Sequence, residues 1–191
     1  MTERLALVTG GASGIGREIC LGLARNGRKV AVADINLAGA QETQAMMTEA
    51  GATALAVQMD VSDSDAVHVG LLEVIDELGP VEVLVNCAGW DELMPFGNTD
   101  ESFWDRVIEI NYKGVLRTVH ACLPSMVDAG WGRIVNIGSD AGRVGSSFEA
   151  VYSGAKGGVI AFTKTVAREV ARSGVTANVV CPGPTDTPLL D

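Results

Sequence analysis

The stretch that decides the fold runs from Leu5 to Gly16 and reads LALVTGGASGIG. Its first five residues form a short apolar run, which predicts a buried β-strand. Glycines at positions 10, 14 and 16 predict a tight turn, and a helical pattern begins at Arg17. Such a turn lets the backbone approach a pyrophosphate, whose charge is favoured by the N-terminus of the following helix. A plain strand-to-helix turn is the alternative, because the spacing is not the standard G-x-G-x-x-G.

The rest of the chain repeats this alternation of apolar strands and helical segments. Further strands are predicted at residues 29–33, 54–59, 81–85, 133–137 and 176–180, and helices at 17–26, 38–50, 63–78, 99–129 and 150–171. One break in the long fourth helix is expected at Pro124. Strands that alternate with helices of this length predict βαβ units and a sheet buried on both faces. We therefore expect a doubly wound, three-layer α/β/α sheet of Rossmann type, with residues 1–191 forming a single domain.

Composition restricts the classes of partner. Apolar residues make up 47% and charged residues 20% of the 191 positions, and the net charge is −10. This balance argues against nucleic acid and anionic membrane surfaces, because both need a positive footprint. No apolar stretch reaches the roughly 18 residues of a membrane span. The four cysteines are scattered without metal-ligand spacing, which predicts reduced thiols, no metal site and a cytoplasmic location.

A second informative stretch is Tyr152-Ser153-Gly154-Ala155-Lys156, at the start of the last predicted helix. Residues four apart on a helix share a face, so the Tyr152 phenol and the Lys156 ammonium are expected side by side. A fixed cation nearby favours the phenolate, which lowers the pKa of the tyrosine and suits it to moving a proton. Taken alone, the pair is more often a surface tyrosine beside a solvated lysine.

Ligands of such sheets bind beyond the C-terminal ends of the strands, where several unusual residues fall. Asp34 ends the second strand, where an acidic side chain can bond both ribose hydroxyls, although a helix N-cap is the alternative. Asp60 and Val61 follow the third strand and are candidates for adenine contacts, with a cap again the alternative for the aspartate. After the fourth strand, the Asn86-Cys87-Ala88-Gly89 segment leaves room for a cofactor to lie across the sheet edge.

Taken together, the motifs give the chain a resemblance to the short-chain dehydrogenase/reductase family over its whole length. The motifs, in order, are Thr9-Gly10-x-x-x-Gly14-x-Gly16, Asn86-Cys87-Ala88-Gly89, Asn111, Ser139, Tyr152-x-x-x-Lys156 and Pro182-Gly183. Cys87 stands where a second asparagine is common in the family. The resemblance implies an oxidoreductase that uses a nicotinamide cofactor to interconvert alcohols and carbonyl compounds.

The resemblance also implies a role for each matching residue. Tyr152 is the expected acid/base, and Ser139 is expected to hydrogen-bond the substrate oxygen. Lys156 would hold the nicotinamide ribose and lower the pKa of the tyrosine, while Asn111 would anchor a water that relays the proton outward. The expected cofactor-binding residues are Gly10, Ser13, Gly14, Ile15, Gly16, Asp34, Asp60, Val61, Asn86, Ala88, Gly89, Tyr152, Lys156, Pro182, Gly183 and Thr187.

Asp34 predicts NAD rather than NADP, because its carboxylate would face the 2′-phosphate as a like charge. Arg17 is the only cation near the glycine turn, and it is equally a ligand for the pyrophosphate. Segments 86–96, 137–152 and 180–187 show a closer likeness to dehydrogenases that act on alicyclic 2-hydroxyacyl-CoA thioesters. An apolar wall beside the site is expected from Trp90, Met94 and Phe96. Arg143 is either a contact for an acyl-CoA phosphate or a solvated loop residue.

The expected reaction is reversible hydride transfer between NAD and a secondary alcohol or its ketone. In oxidation, Tyr152 as phenolate would take the hydroxyl proton while Ser139 steadies the developing charge on oxygen. Two alternatives remain: a 3-oxoacyl-thioester reductase with the same residues, and a dinucleotide-binding regulator that does no turnover. The resemblance further implies a homotetramer built on two long helices. It also leads us to expect that the family's last strand and substrate lid lie beyond residue 191.

Overall fold

A six-stranded parallel sheet organises residues 3–186, the residues that the computed structural model describes. The strands are β1 (Leu5–Thr9), β2 (Lys29–Asp34), β3 (Ala54–Gln58), β4 (Val83–Asn86), β5 (Gly132–Ile137) and β6 (Val175–Val180). The helices are α1 (Gly14–Arg25), α2 (Leu37–Glu49), α3 (Ser64–Leu78), α4 (Glu101–Ile108), α5 (Gly114–Asp128), α6 (Ala141–Val144) and α7 (Ala150–Glu169). A 3₁₀ turn spans Phe96–Asn98, and a π-helical turn spans Glu109–Lys113. The predicted alternation of strands and helices is confirmed.

The strand order places a topological switch point at the centre of the sheet. In space the order is β3-β2-β1-β4-β5-β6, and every neighbouring pair is parallel. The chain therefore winds outward from β1 to β3, crosses back, and winds outward again from β4 to β6. In open sheets of this kind, ligands bind in the crevice where the order reverses, beyond the carboxyl ends of the strands. The carboxyl ends of β1 and β4 define that crevice here.

Two apolar layers cover the faces of the sheet, which explains why its strands are almost continuously apolar. Along β1, Leu5 and Leu7 belong to one buried cluster, whereas Ala6 and Val8 belong to the other. Helices α3, α5 and α7 contribute to the first cluster, and α1 and α2 contribute to the second. Alternate residues of a strand point to opposite faces, so a strand covered on both faces needs apolar residues throughout. The predicted three-layer α/β/α arrangement is confirmed.

The predicted break at Pro124 is wrong. Pro124 lies inside α5, which continues to Asp128. The long helical region is interrupted earlier, by the π-helical turn at Glu109–Lys113. Such turns occur often at functional sites, and this one carries the buried Asn111. The fourth strand also begins at Val83, two residues later than the apolar run suggests.

Three further features concern membranes, metals and thiols. No helix within residues 3–186 is both long and apolar enough to cross a membrane. In the same part of the chain, no group of three or more His, Cys, Asp or Glu side chains is placed to hold a metal ion. All four cysteines are free. Burial raises the pKa of Cys20 and of Cys122 to about 12, so both behave as core residues.

Candidate active site

The turn after β1 requires glycine at two positions. Gly10 has φ +70°, and a Cβ atom added to it would lie 2.7 Å from Cα of Ala88. A Cβ atom on Gly16 would lie only 1.9 Å from the Gly10 carbonyl oxygen. A side chain at either position would therefore displace backbone. The turn packs tightly both on α1 and on the loop after β4.

The N-terminus of α1 keeps its backbone donors available for a ligand. Its N-cap residue, Ser13, makes no side-chain capping hydrogen bond. By contrast, α2, α3 and α4 are capped by the side chains of Asn36, Asp63 and Asp100. The first N–H groups of a helix have no partner within the helix, and phosphate groups are common acceptors for them. The uncapped start at Ser13, Gly14 and Ile15 fits a dinucleotide pyrophosphate.

Asp34 lies at the end of β2 and faces the glycine turn. Its carboxylate accepts hydrogen bonds from the backbone N–H groups of Ala12 (3.0 Å) and Asn36 (2.9 Å). The helix-cap alternative is wrong, because α2 is capped by Asn36, whose side chain accepts from the N–H of Gly39 at 3.1 Å. Asp34 is half-buried at the carboxyl edge, where a ribose would lie next to the turn.

Arg17 connects the glycine turn to α2 through hydrogen bonds and an ion pair. Its guanidinium donates to the carbonyl of Ala12 and, at 3.0 Å, to the Thr43 hydroxyl. It also pairs with Glu42 at 3.1 Å. Thr43 in turn donates to the carbonyl of Gly11 at 2.9 Å. The cation nearest to Asp34 in the turn is thus already engaged by protein groups.

The Asp60-Val61 pair follows β3 and is not a helix cap. Asp60 accepts from the backbone N–H (2.8 Å) and the hydroxyl (2.6 Å) of Ser62, so the cap alternative is wrong. The side chain of Val61 is buried, and a Cβ atom on Gly114 would lie 2.9 Å from it. The Val61 carbonyl accepts from Arg117 at 3.2 Å. Contact of this pair with adenine stays a prediction.

Asn86 has a structural environment that its position alone did not reveal. Its buried side chain donates to Asn136 on β5 (2.8 Å) and accepts from Thr118 on α5 (2.7 Å). Asn136 donates onward to Thr163 on α7 at 2.8 Å. This chain of bonds ties two strands to two helices directly beneath the crevice. Because these bonds occupy the Asn86 side chain, only its backbone is available to contact a cofactor.

The loop after Asn86 lies close to both the glycine turn and the catalytic candidates. The backbone N–H groups of Cys87 and Ala88 donate to the Thr9 hydroxyl at 3.2 and 3.3 Å. A Cβ atom on Gly89 would lie 3.0 Å from Oδ1 of Asn111 and 3.7 Å from Nζ of Lys156. Absence of a side chain at Gly89 thus leaves the approach to Lys156 open.

Helix α7 carries Tyr152 and Lys156 to the carboxyl end of β5. The Lys156 ammonium lies 5.5 Å from the centroid of the Tyr152 ring and donates to the Ile137 carbonyl at 2.9 Å. The solvated-lysine alternative is wrong, because Lys156 is only 3% exposed. Burial lowers the pKa of Lys156 to about 8. No ion pair among residues 3–186 includes Lys156. A buried lysine without a carboxylate partner is costly, which marks this position as functional.

The expected lowering of the Tyr152 pKa by Lys156 is wrong. Burial raises the pKa of Tyr152 to about 12, a hydrogen bond with Ser139 opposes that rise, and the charges of Glu149 and Asp91 add to it. Desolvation disfavours the phenolate, and two carboxylates nearby repel it. Tyr152 is therefore a neutral phenol at physiological pH in this structure.

Ser139 and the Pro182-Gly183 pair meet at the ends of β5 and β6. The Ser139 hydroxyl accepts from the N–H of Ala141 at 3.1 Å, and Ser139 lies near enough to Tyr152 to lower the pKa of its phenol. The next residue, Asp140, donates its backbone N–H to the Pro182 carbonyl at 3.0 Å. The structure thus brings Ser139, Tyr152, Lys156 and Pro182 together. Thr187 lies outside the described residues.

Asn111 projects from the π-helical turn onto the loop after β4. Its amide nitrogen donates to the carbonyls of Trp90 (2.6 Å) and Val107 (2.9 Å), and its Oδ1 accepts from the N–H of Trp90 at 3.3 Å. Asn111 is completely buried. It fixes the loop that faces the tyrosine. The expected water relay stays a prediction.

A narrow cleft lies beside the start of α7. Its lining is mostly apolar and comprises Asp91, Met94, Phe96, Thr99, Phe103, Phe148, Glu149, Ala150 and Val151. The predicted wall is therefore present at Met94 and Phe96. The third predicted residue, Trp90, packs instead against the edge of Phe103 (5.7 Å), with the Arg106 guanidinium 3.6 Å from its ring.

The sequence did not identify two acidic residues of this cleft as candidate site residues. Asp91 directly follows Trp90, and Glu149 directly precedes α7. The signal for Asp91 is the acidic pair that it forms with Glu92 inside the otherwise apolar segment 90–96, which follows the family motif. Arg143, by contrast, is an exposed residue of the short helix α6 that pairs with Asp140 at 3.0 Å, which favours its solvated interpretation.

The fold and these motif positions together define a nicotinamide-dependent oxidoreductase, and the chain belongs to the short-chain dehydrogenase/reductase family. Residues 4–191 match the family model described as short chain dehydrogenase. Enzymes of this family are NAD(P)-dependent oxidoreductases, so the chain is one as well.

Similar proteins include several reductases. A 3-oxoacyl-(acyl-carrier-protein) reductase of Staphylococcus aureus is 41% identical over 182 residues, which are 93% of this chain and 73% of that protein. Nodulation protein G of Azospirillum brasilense is 38% identical over 96% of this chain and 75% of its own length. Among solved structures, a variant of the actinorhodin polyketide ketoreductase with NADPH has a TM-score of 0.95 and 39% identity. That match covers 98% of this chain and 72% of the ketoreductase. The closer likeness to alicyclic acyl-CoA dehydrogenases stays a prediction.

Proposed function

We propose that the chain interconverts a secondary alcohol and its ketone with NAD as the preferred dinucleotide, and that 3-oxoacyl thioesters are its first candidate substrates. One observation carries this proposal. Ser139, Tyr152 and the buried Lys156 converge at the carboxyl end of the sheet, beside the crevice that starts at the glycine turn. A regulator that only binds a dinucleotide needs the glycine turn and Asp34. It does not need Ser139, Tyr152 and Lys156 to lie together.

Residues along the crevice would hold the dinucleotide from one end to the other. The uncapped N-terminus of α1 would bind the pyrophosphate, and Asp34 would bind the hydroxyls of the adenine ribose. Lys156 would bind the nicotinamide ribose, with Gly89 leaving the approach open. When bound, the dinucleotide supplies the hydride for ketone reduction or accepts it in alcohol oxidation.

Tyr152 is assigned the proton transfer. As a neutral phenol it is ready to protonate the carbonyl oxygen during reduction, and the Ser139 hydroxyl is placed to hydrogen-bond the same oxygen. Oxidation needs the phenolate, which the raised pKa disfavours at neutral pH. This asymmetry supports ketone reduction as the faster direction near pH 7, and oxidation that accelerates as the pH rises.

NAD is assigned over NADP because of the charges around Asp34. A 2′-phosphate on the adenine ribose would meet the Asp34 carboxylate as a like charge. Arg17, the nearest cation in the turn, is already bonded to Ala12, Thr43 and Glu42. A ketoreductase of similar fold was solved with NADPH, so proteins that resemble this chain include one with the other dinucleotide.

The substrate assignment follows the names of the similar proteins. A relative named for 3-oxoacyl thioester reduction and a structure named as a polyketide ketoreductase both support a β-keto thioester. An alicyclic 2-hydroxyacyl-CoA is the second candidate, supported by the segment 86–96 and by the apolar cleft at Met94 and Phe96. A homotetramer and a cytoplasmic location are further proposals, which rest on the family resemblance.

The test compares dinucleotides and substrates in one assay. Oxidation of NADH and NADPH is followed with acetoacetyl-CoA and with 2-oxocyclohexanecarboxyl-CoA, and NAD reduction is followed with the matching alcohols. We expect NADH with acetoacetyl-CoA to give the highest kcat/KM. Higher kcat/KM with NADPH would contradict the cofactor assignment. Tight dinucleotide binding without turnover of any of these substrates would favour the regulator.

A further inference from the structure

An unpartnered carboxylate lies in the cleft beside the candidate catalytic tyrosine. Both carboxylate oxygens of Asp91 are buried, and neither has a hydrogen-bond partner among residues 3–186. The backbone N–H of Glu92 lies nearby and lowers the pKa of Asp91 in part, without the geometry of a hydrogen bond. A buried carboxylate that lacks donors is unfavourable, so its position needs an explanation.

The surroundings of Asp91 provide no compensating cation. Burial raises the pKa of Asp91 to about 6, and the charges of Glu149 and Glu92 raise it further. None of the ion pairs formed within residues 3–186 includes Asp91. The guanidinium of Arg106 lies over the Trp90 ring at 3.6 Å instead. Residues 3–186 therefore leave this acceptor unsatisfied.

Asp91 is close to the reacting centre and rigidly supported. Its side chain lines the same cleft as Val151, the residue before Tyr152, and its charge raises the pKa of Tyr152. On one side, Asn111 holds the backbone of the preceding residue, Trp90, through two hydrogen bonds. On the other side, the Met94 N–H donates to the Phe148 carbonyl at 2.9 Å. A side chain held in this way suits recognition, because little order is lost when a ligand binds.

The chemistry of the cleft limits what Asp91 recognises. The other large side chains of the cleft, among them Met94, Phe96 and Phe148, are apolar and suit a carbon skeleton. We propose that Asp91 is a specificity-determining residue whose carboxylate accepts a hydrogen bond from a hydroxyl or N–H group close to the reacting carbonyl of the substrate. The inference rests on the proposed function, because it requires the ketone to bind beside Tyr152, and it narrows the candidate 3-oxoacyl thioesters to those that carry such a donor. A site built for such a donor discriminates against analogues that lack it.

A matched pair of ketones tests the inference by turnover. We expect the wild-type protein to reduce 2-hydroxycyclohexanone with a higher kcat/KM than cyclohexanone. Asp91→Leu should lower that ratio roughly 10-fold or more, because the acceptor is lost. Asp91→Asn keeps a carbonyl acceptor and should retain part of the preference. The control is Glu92→Gln, which removes the neighbouring exposed charge and should leave the ratio unchanged. Replacing the hydroxyl by an acetamido group distinguishes an O–H donor from an N–H donor.

The outcomes distinguish a failure of the proposed role of Asp91 from a failure of the proposed function of the chain. A ratio that is the same in Asp91→Leu, or a wild-type protein without any preference, overturns the role of Asp91. Failure of the wild-type protein to reduce all these ketones is evidence against the proposed function. In that case calorimetric binding of cyclohexane-1,2-diol and cyclohexanol, with NAD present, still tests Asp91. Tighter binding of the diol that is lost in Asp91→Leu supports its role, and equal binding overturns it.

Discussion

The two ends of the sheet use charged and aromatic side chains in opposite ways. At the amino end, the guanidinium groups of Arg4 and Arg133 lie 3.5 and 4.4 Å from the Trp131 ring, and Arg4 pairs with Glu82 at 2.5 Å. Each of these three charged groups has a partner. At the carboxyl end, Lys156 is buried without a carboxylate, and the buried oxygens of Asp91 have no hydrogen-bond partner among the described residues.

This difference indicates which end carries out chemistry. Ion pairs and cation–π contacts at the amino end stabilise the fold. Groups at the carboxyl end have pKa values shifted by burial, upward for Tyr152 and Asp91 and downward for Lys156. Shifts of this kind cost stability and cluster at functional sites. The carboxyl end is therefore the place where substitutions should affect turnover more than stability.

The largest expected effect is on turnover in Tyr152→Phe. Loss of the phenolic proton should lower kcat by roughly 10²–10⁴-fold, the usual contribution of a positioned acid or base. Dinucleotide affinity should change little, because Tyr152 is assigned the proton transfer and Lys156 the ribose. Steady-state kinetics and fluorescence titration with NADH measure the two quantities. A variant with near-wild-type kcat would show that another group carries the proton.

A second prediction concerns the ionisation of Tyr152. The chain contains only two tyrosines, so the tyrosinate absorbance of the wild-type protein minus that of Tyr152→Phe isolates the site. Because burial raises the pKa to about 12, the difference signal should stay small up to pH 10. The rate of alcohol oxidation should rise over the same range, since the phenolate fraction grows with pH. A phenolate that forms between pH 6 and 8 would mean that Lys156 outweighs burial after all.

A third, smaller effect is expected in cofactor preference. Asp34→Ser should lower the ratio of kcat/KM for NAD to that for NADP by roughly 10-fold, because the like charge facing the 2′-phosphate is removed. The matched control is Asp63→Ser, which removes a charge beyond the end of the neighbouring strand and keeps an N-cap for α3. The control should leave the ratio unchanged. An unchanged ratio in Asp34→Ser would place the determinant elsewhere.

The smallest effect on activity is expected at the amino end. Trp131→Leu removes the ring that both arginines cover and should lower the free energy of unfolding by about 1–3 kcal/mol. Its kcat/KM should stay within about twofold of wild type at a temperature where both proteins are folded. Denaturant unfolding and steady-state kinetics give the two values. A large loss of kcat/KM without loss of stability would show that the amino end of the sheet also contributes to turnover. That result would contradict the contrast between the two ends.

Local patterns in the sequence were enough to predict the alternation of strands and helices, the glycine turn and the Tyr152–Lys156 pair. The glycine turn and the Tyr152–Lys156 spacing depend on residues a few positions apart, so their geometry follows from helix and turn rules. The predicted sheet class follows equally from the regular alternation of strands and helices. Those features are confirmed by the structure.

Features that depend on distant contacts were not predictable in the same way. The pKa of Tyr152 rises because of burial and two carboxylates that arrive from the loop after β4 and from the start of α7. The capping of α2 by Asn36 rather than Asp34 depends on the turn that Asp34 faces. Hydrophobic periodicity did not single out Asp91. Its importance depends on hydrogen-bond donors that no described residue supplies to its carboxylate in the folded protein. The π-helical turn around Asn111 likewise reflects its bonds to Trp90.

The most direct test is to measure the stability and turnover of Lys156→Met. It tests the claim that groups at the carboxyl end of the sheet serve turnover at a cost in stability. The folded-state pKa of Lys156 is about 8, below its ordinary 10.5, so between these values the unfolded chain binds more protons and wild-type stability rises with pH. Below pH 8 the buried ammonium carries its full cost. At pH 7 we expect the methionine variant to be more stable by roughly 1–3 kcal/mol, with turnover and dinucleotide affinity both reduced. The stability difference should narrow as the pH approaches 10. A variant that is less stable at pH 7 and still turns over substrate normally would contradict the account.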